Sequence, residues 1–194
     1  MFRGEKMNDE YYEKQANEYL GWISELVDRS KLERIGYFEA PASASHHLAE
    51  RGGLLKHSVN VTRWLQKLTP SIGVDWPRLE SPYIVGMLHD VVKAMCYKFK
   101  MAGADELIVR SPHPYSGHGA ASVAIISAEL GVGLYPAEAS AIMHHMGAFN
   151  LQGFDLQDYD HALGIYTKEI IATHTADMLA ARYDEENSYG EKLI

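Results

Sequence analysis

Histidine and aspartate residues recur along this chain at nearly even intervals, and this recurrence restricts the fold more than any other feature. Successive members, or adjacent pairs of members, lie 26 to 32 residues apart. The set comprises His57, His89, Asp90, His118, His144, His145 and Asp177. An interval of roughly 30 residues corresponds to one long helix plus its return, so each helix could bring one polar group to the same level of a bundle. The spacing therefore predicts an all-α fold with a metal site between its helices.

The side chains of this set have the chemistry of a transition-metal site. Imidazole and carboxylate ligands together suit iron, manganese, nickel or zinc, and a cluster this rich can hold more than one ion. A lone inward histidine is more often a hydrogen-bonded core residue, and a lone aspartate is more often part of a salt bridge. The ordered spacing of the whole set favours a metal site over these separate interpretations.

Composition limits the classes of function that fit the chain. Its 194 residues, 46% of them hydrophobic, are enough for one domain with a substantial core. A formal net charge of −8 is unfavourable for binding duplex nucleic acid. A small phosphorylated ligand is compatible with this charge, because bound cations would reverse the local potential.

Cysteine usage and the lack of apolar segments indicate the compartment. The one cysteine, Cys96, cannot form an internal disulfide, which is typical of a reducing environment, and we expect its thiol to be buried and inert. No segment has the apolar length of a membrane span, and the polar start of the chain lacks the apolar core of a signal peptide. We expect a cytoplasmic protein with no membrane partner, and the sequence leaves its oligomeric state open.

Apolar periodicity predicts helices over most of the chain. The first predicted helix covers residues 9–29 behind the cap candidates Asn8 and Asp9, and the second begins near Gly53. The third runs from Ser81 through Met95, the fourth begins at His118, and the fifth runs from Pro136 to His144-His145. The last helix carries a stripe formed by Leu163, Tyr166, Ile170, His174 and Asp177. His89 and Asp90 fall inside the third of these helices. Adjacent side chains on a helix diverge by roughly 100°, so one could bind a metal while its neighbour bridges toward a second.

Residues 97–110 interrupt the helical pattern. Residues 97–100 alternate apolar and polar side chains, residues 102–105 are turn-like, and residues 106–110 are prone to form a strand, so we predict a short β-hairpin. The next segment, 111–117, contains two prolines and is expected to be a rigid loop that leads to a helix start.

These residues and two local motifs resemble the HD-domain superfamily of metal-dependent phosphohydrolases. The H…HD…D signature of that superfamily and the extra histidines of its dinuclear members are matched by His57, His89, Asp90, His118, His144, His145 and Asp177. Residues 46–57 are similar to the segment before the first ligand in HD domains of 3′-to-5′ exoribonucleases and of prophage or mobilisation proteins, and residues 88–93 resemble the HD-x-x-K motif. The resemblance covers roughly residues 40–182. It implies an all-α HD-type bundle with a small β-hairpin. Residues 1–194 would form a single domain, in which a helix at about 9–29 packs on the core.

The resemblance also implies how the ligands divide. One ion would be held by His57, His89, Asp90 and Asp177, and a second would be held or approached by Asp90, His118, His144 and His145. We therefore expect two divalent transition-metal ions, iron or manganese ahead of nickel, cobalt or zinc. A carboxylate shared by the two ions would hold them close together.

Basic and aromatic residues near these ligands are candidates for substrate binding. Lys93, the lysine of the HD-x-x-K motif, would bind a phosphate oxygen, although a solvated helix lysine is the plainer interpretation. The weaker candidates are Arg110, Lys56, Arg51, His46 and His47. The two histidines of that group either line the opening of the pocket or hold their loop by hydrogen bonds. His113 and His174 are expected to be structural, and His161 is expected to lie at the surface or at a helix cap.

The resulting hypothesis is hydrolysis of a phosphoester or phosphoanhydride bond, with a nucleotide or an oligonucleotide end as the substrate. Attack would come from a hydroxide that bridges the two ions, with Asp90 and Lys93 as the catalytic residues. A second interpretation is a di-iron oxygenase, because some HD proteins use this ligand pattern to activate dioxygen and one of them has a similar lysine. A third is a metal-binding regulatory module with a catalytically silent site, which the complete ligand set disfavours.

Overall fold

The computed structural model describes residues 7–46, 48–102, 105–111, 117–148 and 154–185 of the chain. Within these ranges the protein is mainly α-helical and contains one two-stranded sheet, which confirms the predicted mainly-α class with a hairpin at 97–110. The helices are α1 Asp9–Trp22, α2 Arg29–Ile35, α3 Gly53–Ile72, α4 Ser81–Leu88, α5 Lys93–Cys96, α6 His118–Ile125, α7 Pro136–Met143, α8 Phe154–Ile165 and α9 Thr167–Leu179. The strands are β1 Tyr97–Ala102 and β2 Asp105–Arg110, and π-helical segments follow α6 over Ile126–Leu130 and α9 over Ala180–Glu185.

Helix α3 is the central element of the core. It packs against α1, α4 and α9. Leu54, His57, Val61 and Leu65 on this helix are fully inaccessible to solvent, whereas Trp64 and Leu68 are half-buried. Its predicted start near Gly53 is confirmed. Among the described residues, no helix combines the length and apolar character that crossing a membrane requires.

Two glycines allow close helix packing next to the predicted ligands. A Cβ added at Gly86 of α4 would lie only 2.6 Å from the Cα of Thr62, so α4 rests directly on α3. A Cβ added at Gly119 of α6 would lie 2.6 Å from the carbonyl carbon of Met143, so α6 rests on the end of α7. These approaches set the distance between the helix pairs that carry the histidines.

The predicted first helix, 9–29, is wrong in its extent. Asn8 caps α1 as expected, because its side chain accepts a hydrogen bond from the backbone N–H of Tyr11 at 2.9 Å. However, α1 ends at Trp22, and α2 is a separate helix. The side chain of Asp28 accepts a hydrogen bond from the backbone N–H of Ser30 at 2.9 Å and thereby starts the new helix.

The predicted helix from Ser81 through Met95 is interrupted at the His89-Asp90 pair. Helix α4 ends at Leu88, and residues 89–92 form a turn before α5. In this turn the backbone N–H of Val91 donates to the carbonyl of Leu88 and that of Lys93 donates to the carbonyl of Asp90, both over three residues. The pair therefore lies in a tightened turn and not inside a regular helix.

The other predicted helix ends also need correction. Helix α7 ends at Met143, so His144 and His145 lie in the turn that follows it. The predicted stripe from residues 163 to 177 spans two helices, because the backbone of Tyr166, at φ −118° and ψ 43°, is not helical. Asp177 nevertheless lies in the last turn of α9, whose opposite end packs near α8.

Candidate metal centre

The side chain of Asp90 lies at the centre of a cluster of histidines. Its Oδ2 lies 3.6 Å from Nε2 of His57 and 3.4 Å from Nε2 of His89. Its Oδ1 lies 3.4 Å from Nε2 of His145 and contacts Nε2 of His118. The two oxygens of one carboxylate therefore face two different sets of imidazoles.

These contacts define two groups of potential metal ligands that share Asp90. The buried group consists of His57, His89 and Asp90, and the open group consists of Asp90, His118 and His145. Within each group, the potential ligand atoms all lie within 4.8 Å of one another. Asp177 adjoins the buried group, with its Oδ1 3.1 Å from Nε2 of His57.

Five elements of the fold bring these six side chains together. His57 comes from the buried face of α3, His89 and Asp90 from the turn after α4, His118 from the first residue of α6, His145 from the turn after α7, and Asp177 from the last turn of α9. The close packing at the two interface glycines places the first three next to one another and His118 next to His145. The predicted convergence of polar groups from successive helices therefore describes this arrangement, although three of the groups lie in turns.

The hydrogen bonds of His89 and His145 leave one ring nitrogen of each directed at Asp90. Nδ1 of His89 lies 3.0 Å from the carbonyl oxygen of Gly86, and Nδ1 of His145 lies 2.6 Å from that of Ile142. Because a carbonyl only accepts, each Nδ1 carries a hydrogen, and in the neutral imidazole each Nε2 therefore carries the lone pair. Within the described residues, neither Nε2 has a hydrogen-bond partner, although both are buried. A buried lone pair in this position is stabilised by a cation, so the side chains fit a transition metal.

His57 is supported by a residue that the sequence did not reveal as part of the site. Its Nδ1 lies 3.1 and 3.2 Å from the two carboxylate oxygens of Glu185. Asn60 donates a hydrogen bond of 3.0 Å to the same carboxylate. The available signal was Asn60 itself, a polar residue three positions after His57 on the buried face of α3.

The carboxylates of the cluster remain ionised in its electrostatic environment. Burial alone would raise the pKa of Asp90, but the Lys93 ammonium, His118 and His89 outweigh burial and hold that pKa well below its usual value. Burial likewise opposes ionisation of Asp177, and the neighbouring His57 overcomes this effect and lowers its pKa. The cluster therefore presents negative charge to a cation.

The imidazoles differ in how their surroundings affect protonation. Burial disfavours the charged form of His57, yet Glu185 and Asp177 overcome this and raise its pKa to about 10. Burial also opposes protonation of His145, and Asp90 overcomes it and raises that pKa. For His89 burial prevails over the attraction of Asp90 and lowers the pKa. A metal ion binding to His57 would therefore displace a proton.

Solvent reaches the cluster from the side of His118. The His118 side chain is 34% exposed, whereas those of His57, His89 and His145 are at most 1% exposed. A cavity of about 280 Å³ opens beside His118 and is also lined by Tyr97 and Arg110 of the hairpin strands and by Val92, Cys96, Ser111 and Gly117. The open group is thus the part of the cluster that a ligand from solvent meets first.

Lys93 and Arg110 lie at the cluster and at this cavity, respectively. The Lys93 ammonium lies 2.5 Å from Oδ2 of Asp90. The Arg110 guanidinium is exposed at the cavity wall and lies 6.0 Å from the ring centroid of Tyr97. Cys96, on the same wall, is half-buried and not fully buried as expected, and burial raises the pKa of its thiol, which disfavours the thiolate.

The other two cationic candidates form ion pairs elsewhere. Arg51 lies 3.1 Å from Glu39 and binds Glu106 of β2 through two nitrogens, one of them at 3.0 Å. Lys56 lies 2.7 Å from both Asp9 and Glu50. In the described part of the chain, the contacts of Arg51 join the hairpin to the loop before α3, those of Lys56 join α1 and this loop to α3, and neither set involves a residue of the metal cluster.

Of the adjacent histidines after α7, the structure brings only His145 into the cluster. The ring of His144 packs against Tyr159 of α8 at a centroid distance of 5.5 Å, and burial lowers its pKa. His174 supports the turn in which His145 lies, since its Nδ1 is 2.7 Å from the carbonyl oxygen of His145. His174 thus has the structural role that was expected for it.

The remaining histidines lie away from the cluster or outside the described residues. His46 is exposed, and its backbone N–H donates a hydrogen bond of 2.8 Å to the side chain of Ser43, which is consistent with a role in holding the loop. His161 is exposed on α8, as expected. The candidates His47 and His113 lie outside the described residues.

Comparisons of the chain with protein-family models, with curated proteins and with solved structures gave no significant match. Function is therefore inferred from Asp90 and its neighbours, whose contacts describe a buried cluster of histidine and aspartate that could hold metal ions.

Proposed function

We propose that this chain is a metal-dependent phosphohydrolase of the HD-domain type, which cleaves a phosphoester or phosphoanhydride bond of a nucleotide or an oligonucleotide end. The observation that carries the proposal is the position of Asp90, whose two oxygens face two groups of histidines. A carboxylate in this position can bridge two cations and offset their mutual repulsion. Paired cations are widely used to catalyse displacement at phosphorus.

The proposed ligands divide between the two groups around Asp90. The first ion would be held by His57, His89, Asp90 and Asp177, and the second by Asp90, His118 and His145. Mixed imidazole and carboxylate ligands without thiolate favour iron or manganese, with nickel, cobalt or zinc as alternatives. Two such ions would lower the pKa of a water molecule and neutralise charge on the phosphoryl oxygens. His144 is left out of the set because its ring packs against Tyr159.

Lys93 is the residue that we propose to contact a phosphoryl oxygen. Burial opposes its charged form, but the adjacent Asp90 overcomes this and raises its pKa, so the ammonium is present at neutral pH. A cation that shares Asp90 weakens the hold of this carboxylate on the ammonium. The other oxygen of Asp90 contacts His118, which lines the cavity, so one carboxylate separates the ammonium from the histidine that meets solvent.

The cavity beside His118 has the size and charge that favour a small anionic substrate. In a chain with a net charge of −8, Arg110 lies at the wall of this cavity, and Lys93 contacts Asp90, the carboxylate that also contacts His118 of the wall. A guanidinium and an ammonium suit a phosphate group, which can accept several charge-assisted hydrogen bonds. A volume of about 280 Å³ is near the lower end of the range for small-molecule sites and favours a single nucleotide or a strand end over a duplex.

The proposal is tested by metal analysis followed by a substrate screen. Protein purified without chelator is analysed for bound metal, and metal-free protein is reloaded with Mn²⁺ or, without oxygen, with Fe²⁺. Release of phosphate or nucleotide is then measured with nucleoside phosphates, cyclic nucleotides and short oligonucleotides. We expect metal-dependent hydrolysis that Asp90→Asn abolishes, because an amide of nearly the same volume is a poor bridge between cations.

Asp184→Asn is the matched control for this experiment. Asp184 is also a largely buried carboxylate, but it pairs with Arg63 at 2.6 Å and accepts a hydrogen bond from Trp64 at 2.7 Å. Its replacement should leave metal content and turnover intact. Full activity with both ions retained in Asp90→Asn would contradict the proposal, and so would wild-type protein that binds no metal. Iron-dependent uptake of dioxygen without hydrolysis would instead favour the oxygenase.

A further inference from the structure

The buried and open groups differ in the partners of their histidines, and we propose that Glu185 is a positioning residue that makes the buried group the tighter of two unequal metal sites. The inference rests on the metal centre of the proposed function but not on hydrolysis. The open group would then hold the ion that exchanges with solvent.

Glu185 acts on the buried group through His57. The Glu185 side chain is 1% exposed, and its two oxygens lie 3.1 and 3.2 Å from Nδ1 of His57. Since a carboxylate only accepts, Nδ1 donates to Glu185, and Nε2, which faces Asp90 and Asp177, is the nitrogen that would bind a metal ion once its proton is displaced. A carboxylate behind a histidine ligand fixes the orientation of the ring and makes the imidazole a stronger ligand.

The other two buried histidines of the cluster lack such a charge at Nδ1. Nδ1 of His89 bonds to the carbonyl of Gly86, and Nδ1 of His145 bonds to the carbonyl of Ile142. A backbone carbonyl orients the ring but carries no net charge. Among these three histidines, the supporting carboxylate is therefore found only behind His57, which belongs to the buried group.

The position of Glu185 is fixed by residues of two further elements. Asn60 of α3 donates hydrogen bonds of 3.0 Å to the Glu185 carboxylate and of 3.3 Å to the hydroxyl of Tyr12 on α1. Both Asn60 and Tyr12 are buried. The Glu185 carboxylate is thus held at one place relative to His57, as a residue that positions a ligand needs to be.

Exposure separates the two groups in the same direction. His118 of the open group is 34% exposed and lines the cavity, although its partner His145 is buried. His57 and His89 of the buried group are at most 1% exposed, and the adjoining Asp177 is 18% exposed. An ion in the open group can exchange with solvent and meet a substrate. An ion in the buried group has no such direct path through His57 or His89. The fraction of open groups that hold an ion would therefore vary with the concentration of free metal ion.

The test is a titration of the metal-free protein with Co²⁺ alone, followed by its visible absorption. Wild-type protein should bind two ions in two distinct steps. Glu185→Gln keeps the hydrogen-bond acceptor but removes the charge, and it should weaken the tighter step by about 10- to 100-fold while leaving the weaker step unchanged. The control Asp184→Asn removes a buried charge one residue away and should alter neither step. A residue with only a structural role would not produce this selective loss.

A second measurement keeps the inference testable should Glu185→Gln fail to fold. Nitrogen NMR of wild-type protein loaded with Zn²⁺ should show His57 protonated at Nδ1, and protonation at Nε2 would overturn the inference. Equal affinities for the two ions, or an equal loss of both in Glu185→Gln, would also overturn it. Two sites of unequal affinity in a protein without hydrolytic activity would support the inference and contradict the proposed hydrolase function. Wild-type protein that binds no Co²⁺ would contradict both the inference and the proposed function.

Discussion

The ammonium of Lys93 lies 2.5 Å from Oδ2 of Asp90, the same oxygen that faces His57 and His89. In the absence of metal, this lysine supplies positive charge next to the proposed bridging carboxylate. The pairing is largely shielded from water, since the Lys93 side chain is 13% exposed. A metal ion in the buried group therefore has to share an oxygen with a cation that already contacts it.

Replacement of Lys93 by Met should separate metal binding from turnover. Met retains the apolar stem but has no ammonium to compete for Asp90, so metal affinity should stay the same or rise. If Lys93 contacts the phosphoryl group, kcat should fall by about 100-fold, a typical effect of removing one charge-stabilising donor. Metal content and kcat are measured on the same preparation, with Lys100→Met on the exposed face of β1 as the control. Loss of metal together with activity would show that Lys93 holds the site together instead.

The adjacent pair His144-His145 allows a matched test of the open group. His145→Ala removes an Nε2 that lies 3.4 Å from Asp90, so the protein should lose one of two ions and most of its hydrolytic activity. His144→Ala removes a ring that packs against Tyr159 and should leave both ions in place. Metal stoichiometry and helical circular dichroism are measured for both variants. The assignment would be reversed by a His144 variant that loses an ion while the His145 variant keeps two.

Periodicity could predict much of this arrangement. The burial of His57 follows from its place on the apolar face of α3, and the alternation of residues 97–100 predicts the hairpin. By contrast, the sequence around His89 continues a helical pattern and does not predict the turn that interrupts the helix there. The close approach of Gly86 to α3 and the bond from His89 to the Gly86 carbonyl are not visible in local propensity.

The features of the site that the sequence does not predict depend on turns and on contacts between residues far apart in the chain. A turn has no fixed periodicity, so nothing in the sequence distinguishes the directions of His144 and His145. Glu185 lies 128 residues after His57 in the chain and reaches it from a π-helical segment, whose spacing differs from that of an α-helix. Its role depends on three-dimensional proximity to His57 and Asn60.

Metal affinity should increase with pH. In metal-free protein Glu185 and Asp177 raise the pKa of His57 to about 10 against the effect of burial, so His57 is protonated at neutral pH. A raised pKa favours the protonated form below about 10, and a metal must displace that proton to bind Nε2. Affinity should therefore rise by up to about tenfold per pH unit for each proton displaced. Calorimetry in two buffers of different ionisation enthalpy measures the released protons, and an affinity independent of pH between about 6 and 9 would contradict this expectation.

Replacement of Gly119 by Ala should disturb the open group through the packing of α6 on α7. The new Cβ would lie 2.6 Å from the carbonyl carbon of Met143, so the helices must move apart at a cost of about 1–3 kcal/mol in the free energy of unfolding. His118 immediately precedes this glycine, so the substitution should move His118 away from His145. Binding of the ion in the open group should then weaken more than binding of the ion in the buried group. Gly164→Ala is the control, because a Cβ there meets nothing within 4 Å and should stabilise α8 by up to about 1 kcal/mol. Urea unfolding of the metal-free proteins and stepwise metal titration distinguish the two variants, and equal effects of both would show that the close approach of α6 to α7 does not hold the open group together.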